Sequence, residues 1–144
     1  MNDAGENEGL YQDAIVALAR SAHGAGKLEP PGRRAVVDNP LCGDRVTVEL
    51  TVQSGKVGAL RHTVKGCLLC QAAASLLGLR APGASPKAVA ANAAALSRML
   101  KDGKKPPEDA WPELAIFQPV SRHKSRFECV LLPFQAAQAC LERT

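Results

Sequence analysis

Aromatic side chains are nearly missing from this sequence, which has one Trp, one Tyr and three Phe in 144 residues. So few rings leave little for nucleic-acid bases to stack on. The charge does not compensate: 18 basic side chains stand against 14 acidic ones, a net +4. The one local basic run, Ser121-Arg122-His123-Lys124-Ser125-Arg126, reads as a solvated helix entry or as a docking patch for an acidic partner surface. Nucleic acid is therefore set aside as a partner. No stretch approaches the ~20 apolar residues of a membrane span, so no membrane role is expected. The opening Met-Asn-Asp-Ala-Gly-Glu-Asn-Glu lacks the basic and apolar regions of a signal peptide. The expected location is the cytoplasm. In that reducing compartment five cysteines favour metal or sulfur chemistry over disulfides. Neither a Ser/His/Asp set nor a catalytic carboxylate pair accompanies Asp44, which argues against a hydrolase.

What is present is aliphatic. Hydrophobic residues make up 46% of the chain, mostly Ala, Leu and Val, and the length suits one domain. A chain of this size buries roughly 68–70% of its unfolded surface. The core it can build is thin in bulk, and a bound metal could add to its stability.

Residues 1–9 read as a disordered lead-in and 10–144 as a single domain. Leu10, Ala14, Ala17 and Leu18 recur at helical spacing, which predicts a helix over about 9–21. Glycines and prolines from Gly24 to Gly32 then make a loop. Ala35-Val36-Val37 is a short strand, and Asn39-Pro40-Leu41-Cys42-Gly43-Asp44 a turn. Val46, Val48, Leu50 and Val52 alternate with polar residues, the period of a half-buried strand. Ser54-Gly55-Lys56 turns the chain, and 57–65 returns as a partner strand. After Gly66 the pattern is helical: 68–79; then from Ser85-Pro86, a cap followed by proline in the first turn, to a stop near Gly103; 108–118 around Trp111 and Leu114; and 126–142. Strands first and helices afterwards predict an α+β fold, an antiparallel sheet of about three strands packed by helices.

Four residues stand out chemically. Cys42 lies in the tight turn, with Gly43 free to take a positive φ, and Asp44 two residues on can offer an oxygen. Cys67 falls where a strand hands over to a helix, so the helix dipole favours its thiolate. Cys129 begins the last helix near Arg122, Lys124 and Arg126, whose charge also favours a thiolate. Three thiolates and one carboxylate would complete a tetrahedral zinc set. The separations of 25 and 62 residues, however, are not those of a finger or ribbon. From the residues alone two readings stay open, a shared metal site or small buried hydrophobes. His62 reads as a core or rim histidine rather than a ligand. Cys70 reads as a buried helix cysteine, with a spare ligand, a resolving thiol or a Cys67-x-x-Cys70 redox pair as alternatives. Cys140 reads as structural.

The segment Asn39–Asp44 resembles the N-P-x-C-G-D motif of the IscU/SufU/NifU N-terminal family. Gly66-Cys67-Leu68-Leu69-Cys70-Gln71-Ala72-Ala73-Ala74-Ser75 resembles its G-C-x-I-S-x-A-S-A-S segment, and Arg126-Phe127-Glu128-Cys129-Val130-Leu131-Leu132-Pro133-Phe134 its R-x-K-C-A-x-L-x-W segment. The likeness spans about residues 10–142. The long gap from Cys67 to Cys129 is similar to that of the SufU branch, and Glu128 stands where IscU-like chains carry a His. Val64, His62, Cys70 and Ala73 depart from the pattern. The resemblance implies a zinc site of Cys42, Asp44, Cys67 and Cys129. It implies that Cys42 accepts persulfide sulfur from a SufS-type cysteine desulfurase, with Arg126 in support, and that downstream iron–sulfur assembly proteins receive it. Such a protein is sulfurtransferase-like rather than a stand-alone enzyme. The rival roles are a scaffold building a [2Fe–2S] cluster on the same thiolates and a zinc-stabilised, non-catalytic interaction module.

Overall fold

The computed structural model describes residues 12–30, 32–41 and 43–142. The expected lead-in over 1–9, the start of the first helix and Cys42 lie outside the described residues. Helix α1 spans Asp13–Ser21. Gln12, with non-helical backbone (φ −55°, ψ 156°), stands at its N-cap. Strands β1 (Arg33–Asn39), β2 (Asp44–Gln53) and β3 (Lys56–Lys65) form an antiparallel sheet in the order β1-β2-β3. Helices α2 (Leu68–Arg80), α3 (Pro86–Asp102) and α4 (Phe127–Glu142) follow. This is the α+β arrangement the pattern predicts.

The sheet's alternation sets its two faces. Val46, Val48 and Leu50 are fully buried, and Ala35, Leu60 and His62 join them under α2 and α4. The other face carries cross-strand rows in which Glu49 pairs with Arg34 and Arg61, and Arg45 with Asp38 and Lys65. Ser54 and Gly55 both take positive φ, 54° and 75°. That is the requirement of the tight turn whose twist suits a two-residue hairpin.

Helix α2 is apolar almost all round, and Leu69, Cys70, Ala72, Ala73, Ala74, Leu76 and Leu77 are buried. A helix without a polar stripe belongs in the centre, and α2 packs against α1, α4 and β3. Its small residues let the chain come close. The Ser75 hydroxyl accepts the His23 N–H at 3.0 Å, and segment 24–26 pairs along the outer edge of β3 through Gly26 N to His62 O and His62 N to Gly24 O. A side chain on Gly78 would run into the backbone of His23 and Gly24. Gly78→Ala is therefore expected to destabilise the protein, although alanine gains about 1 kcal/mol of helix propensity. Overpacking against immovable backbone costs roughly 2–3 kcal/mol, lowering the melting temperature by about 5–10 °C. An unchanged melting temperature would mean that segment 22–26 slides freely off α2.

The C-terminal half reads as expected at one end and differs at the other. The Ser85 hydroxyl accepts the Ala88 N–H at 3.1 Å, and Gly103 (φ 67°) ends α3. The helix expected over 108–118 is instead a 3₁₀ helix, Pro112–Arg122. Pro112 opens it, and Pro119 inside it removes a donor that an α-helix would need. Trp111 meets Phe134 with ring centroids 6.2 Å apart, and its backbone N–H donates to the buried Asn92 Oδ1 at 2.7 Å. A three-residue 3₁₀ turn, Lys124–Arg126, leads into α4.

Candidate metal and sulfur site

Three elements converge at one end of the sheet. The β1–β2 turn closes through Gly43 N to Asn39 O at 2.8 Å, while Asn39 Oδ1 accepts the Leu41 N–H at 3.2 Å. Gly43 takes φ 74°, where glycine is unstrained. The turn delivers Asp44 as the first residue of β2, and its side chain points inward with the residue 6% exposed. Cys67 is the N-cap of α2 and half-buried. Cys129 lies in the first turn of α4 and is 1% exposed.

A carboxylate oxygen of Asp44 and the sulfurs of Cys67 and Cys129 all lie within 4.8 Å of one another. A tetrahedral ion with Zn–S near 2.3 Å and Zn–O near 2.0 Å holds its donors roughly 3.5–3.8 Å apart, so small side-chain rotations would close the set. Asp44 Oδ2 is buried with no hydrogen-bond partner among the described residues. Leaving a buried acceptor unmade costs about 1–3 kcal/mol, and a cation removes that cost. On donor type, spacing and the orphaned oxygen, these residues fit zinc or another thiolate-binding ion.

Cys42, the fourth residue of the sequence reading, lies outside the described residues. Arg126 directly precedes α4 and is half-buried. Glu128 is exposed, and its Oε2 accepts from Gln135 Nε2 at 3.2 Å. It is not among the three grouped donors.

The remaining candidates separate cleanly. His62 is 5% exposed and its Nε2 donates to His23 O at 2.7 Å. Burial lowers its pKa, outweighing the opposite pull of that hydrogen bond, so it is the core histidine the strand pattern suggests. The buried Cys140 thiol reaches the Val48 carbonyl at 3.7 Å. Cys70 is fully buried on α2, and burial together with Asp44, Cys67 and Cys129 pushes its thiol pKa well up.

One contributor escaped the sequence reading. A Cβ on Gly66 would stand 3.1 Å from Asp44 Cγ and 3.2 Å from Cys70 Cβ. The bare backbone there makes room for the Asp44 carboxyl beside the start of α2. The glycine before Cys67 is visible in the sequence, but its purpose depends on a neighbour from another strand.

The family model described as the NifU-like N terminal domain matches residues 10–130. An iron–sulfur cluster assembly scaffold protein IscU from Streptococcus pyogenes serotype M1 is 24% identical over 136 residues, covering 94% of this chain and 84% of that protein. Its counterpart in Thermotoga maritima is 25% identical over 134 residues, covering 93% and 94%. The crystal structure of the N-terminal part of a nitrogen-fixing NifU-like protein from Brucella abortus superposes with a TM-score of 0.89 at 33% identity, over 94% of each chain. A putative scaffold protein for the SUF system from Fervidobacterium islandicum AW-1 shares the fold, with a TM-score of 0.85 at 22% identity over 92% of this chain and 97% of that one.

Proposed function

The chain belongs to the family of NifU-like N-terminal domains, and on that premise we propose that it works in iron–sulfur cluster assembly through Asp44, Cys67, Cys129 and Cys42. The observation that carries this reading is the convergence of two thiols on a buried carboxylate whose Oδ2 has no hydrogen-bond partner among the described residues.

The finer reading is a zinc-guarded persulfide relay. The Cys42 thiolate attacks the outer sulfur of a desulfurase persulfide. A new S–S bond forms at Cys42, the donor's S–S bond breaks, and the desulfurase cysteine leaves as thiolate. Arg126 sits beside α4's first turn, where its charge would favour the incoming anion. Asp44 is a harder ligand than thiolate, which suits a site that must release one donor. When bound, zinc would keep the site thiolates ionised and shield them from oxidation. A SufS-type cysteine desulfurase is the proposed donor, and a downstream assembly protein the acceptor. Glu128 supports the relay: the place where the resemblance puts a His in IscU-like chains holds an exposed carboxylate turned to Gln135. The second reading, a scaffold carrying a [2Fe–2S] cluster as cargo on the same thiolates, is favoured by the names of the two curated relatives.

Metal, sulfide and sulfane-sulfur analysis of the purified protein tests both. About one zinc per chain, no colour, and sulfane sulfur gained from a desulfurase and cysteine is the expected result. A brown protein carrying iron and sulfide would replace the relay with the scaffold. Zinc with no sulfur uptake and no iron would leave an interaction module.

A further inference from the structure

A relay that withdraws Cys42 from a metal ion leaves an open coordination position beside a buried carboxylate. Another thiol, that of Cys70, lies close to the same carboxylate. Cys67 is the N-cap of α2 and Cys70 lies in the first turn of that helix, three residues on. The Gly66 gap borders Asp44 Cγ on one side and Cys70 Cβ on the other, so those two atoms are no more than about 6.3 Å apart. Cys70 is thus a near neighbour of the grouped donors, although it is not one of the three. Cys140 differs: it lies near the far end of α4, with its sulfur at the Val48 carbonyl. The orphaned Asp44 Oδ2 independently marks this pocket as one made for a cation.

We propose that Cys70 is a reserve metal ligand, which takes the place of Cys42 when Cys42 leaves to accept sulfur. This rests on the metal-binding reading above and deepens it. In the exchange one metal–sulfur bond breaks at Cys42 and one forms at Cys70. The Cys70 thiol proton passes to water or buffer, and no electrons are transferred. Zinc(II) and cobalt(II) suit such a swap, since a set of two thiolates and one carboxylate keeps holding the ion throughout.

Cobalt(II) loaded into the intact chain is the probe, because thiolate-to-cobalt absorption scales with the number of bound thiolates. The Cys42→Ser variant is expected to keep the wild-type intensity, with Cys70 replacing the lost sulfur. The double variant Cys42→Ser/Cys70→Ser is expected to lose about a third of it, and Cys42→Ser/Cys140→Ser none. Should Cys70→Ser disturb folding, Cys42→Ser/Cys70→Ala provides the same comparison. The single Cys42→Ser spectrum is decisive in any case: if it already falls by a third, Cys70 does not step in and the proposal is overturned. A wild-type protein that takes up no cobalt would instead sink the metal-binding reading itself.

Discussion

Replacing Cys42 with alanine is expected to reduce sulfur transfer from a cysteine desulfurase to background. The effect should be near total because the acceptor must be a thiolate, and a methyl group offers no electron pair to the incoming sulfur. The other thiols are poorly placed to substitute. Cys129 is 1% exposed, and Cys70 and Cys140 are fully buried, so a partner's persulfide cannot approach them in line. Cys67 is half-buried at the N-cap of α2, and its sulfur is grouped with Asp44 and Cys129, where a bound ion would occupy it. The neighbours of Cys42 favour approach: Leu41 is 94% exposed, and a Cβ added at Gly43 would meet nothing within 4 Å. Labelling with isotopic cysteine and a desulfurase, read by intact mass, gives the measurement. Wild type should gain the mass of sulfur, Cys140→Ala should match it, and Cys42→Ala should show none. Transfer to Cys42→Ala at the wild-type rate would remove Cys42 as acceptor.

Which parts of this molecule the sequence discloses depends on how local their physics is. The alternation Val46, Val48, Leu50 predicts the buried face of β2 because each side chain's direction follows from its own position in the pleat. Ser85-Pro86 and Gly103 mark the ends of α3 because caps act within a turn. Glu49 breaks the alternation: it is 8% exposed on the otherwise polar face, in register with Arg34 and Arg61. Its burial comes from two other strands, which no window around residue 49 contains. The segment 108–118 is misjudged for a similar reason, since helical spacing of Trp111 and Leu114 says nothing about the hydrogen bonds that Pro112 and Pro119 forbid.

The site shows the same division. A turn, a helix N-cap and a helix first turn are each readable around Asp44, Cys67 and Cys129. Their convergence within 4.8 Å is tertiary, and separations of 25 and 62 residues carry no sign of it. Three flanking motifs, through resemblance, supplied what spacing could not. The closeness of Cys70 to Asp44 was hidden for a different reason. It depends on the absence of a side chain at Gly66, and an absent atom leaves no periodicity to detect.

Asp44→Ala should move the protein in opposite directions with and without metal. In the metal-free protein, the substitution removes a buried oxygen that has no hydrogen bond among the described residues. An unsatisfied buried acceptor costs about 1–3 kcal/mol, and the small void left by the missing carboxylate returns part of that. The metal-free variant is therefore expected to be as stable as wild type or up to about 1 kcal/mol more so. The metal-bound comparison reverses the order. Removing even an outer-sphere partner of a ligand lowers affinity about 10–100-fold, and Asp44 would be a direct donor, so a loss at or beyond the upper end is expected. Binding to the folded state alone stabilises it by mass action. A 100-fold weaker affinity then removes about 2.7 kcal/mol of the stabilisation given by saturating zinc. Paired thermal melts of wild type and Asp44→Ala, each with a chelator and with excess zinc, read both effects in one experiment. The expected pattern is a wide zinc-dependent shift in wild type and a narrow one in the variant, starting from an equal or higher metal-free midpoint. Equal zinc shifts in the two proteins would remove Asp44 from the ligand set. A clearly lower metal-free midpoint in the variant would mean that the Asp44 carboxyl holds the folded chain together by itself, and the orphaned oxygen would no longer point to a cation.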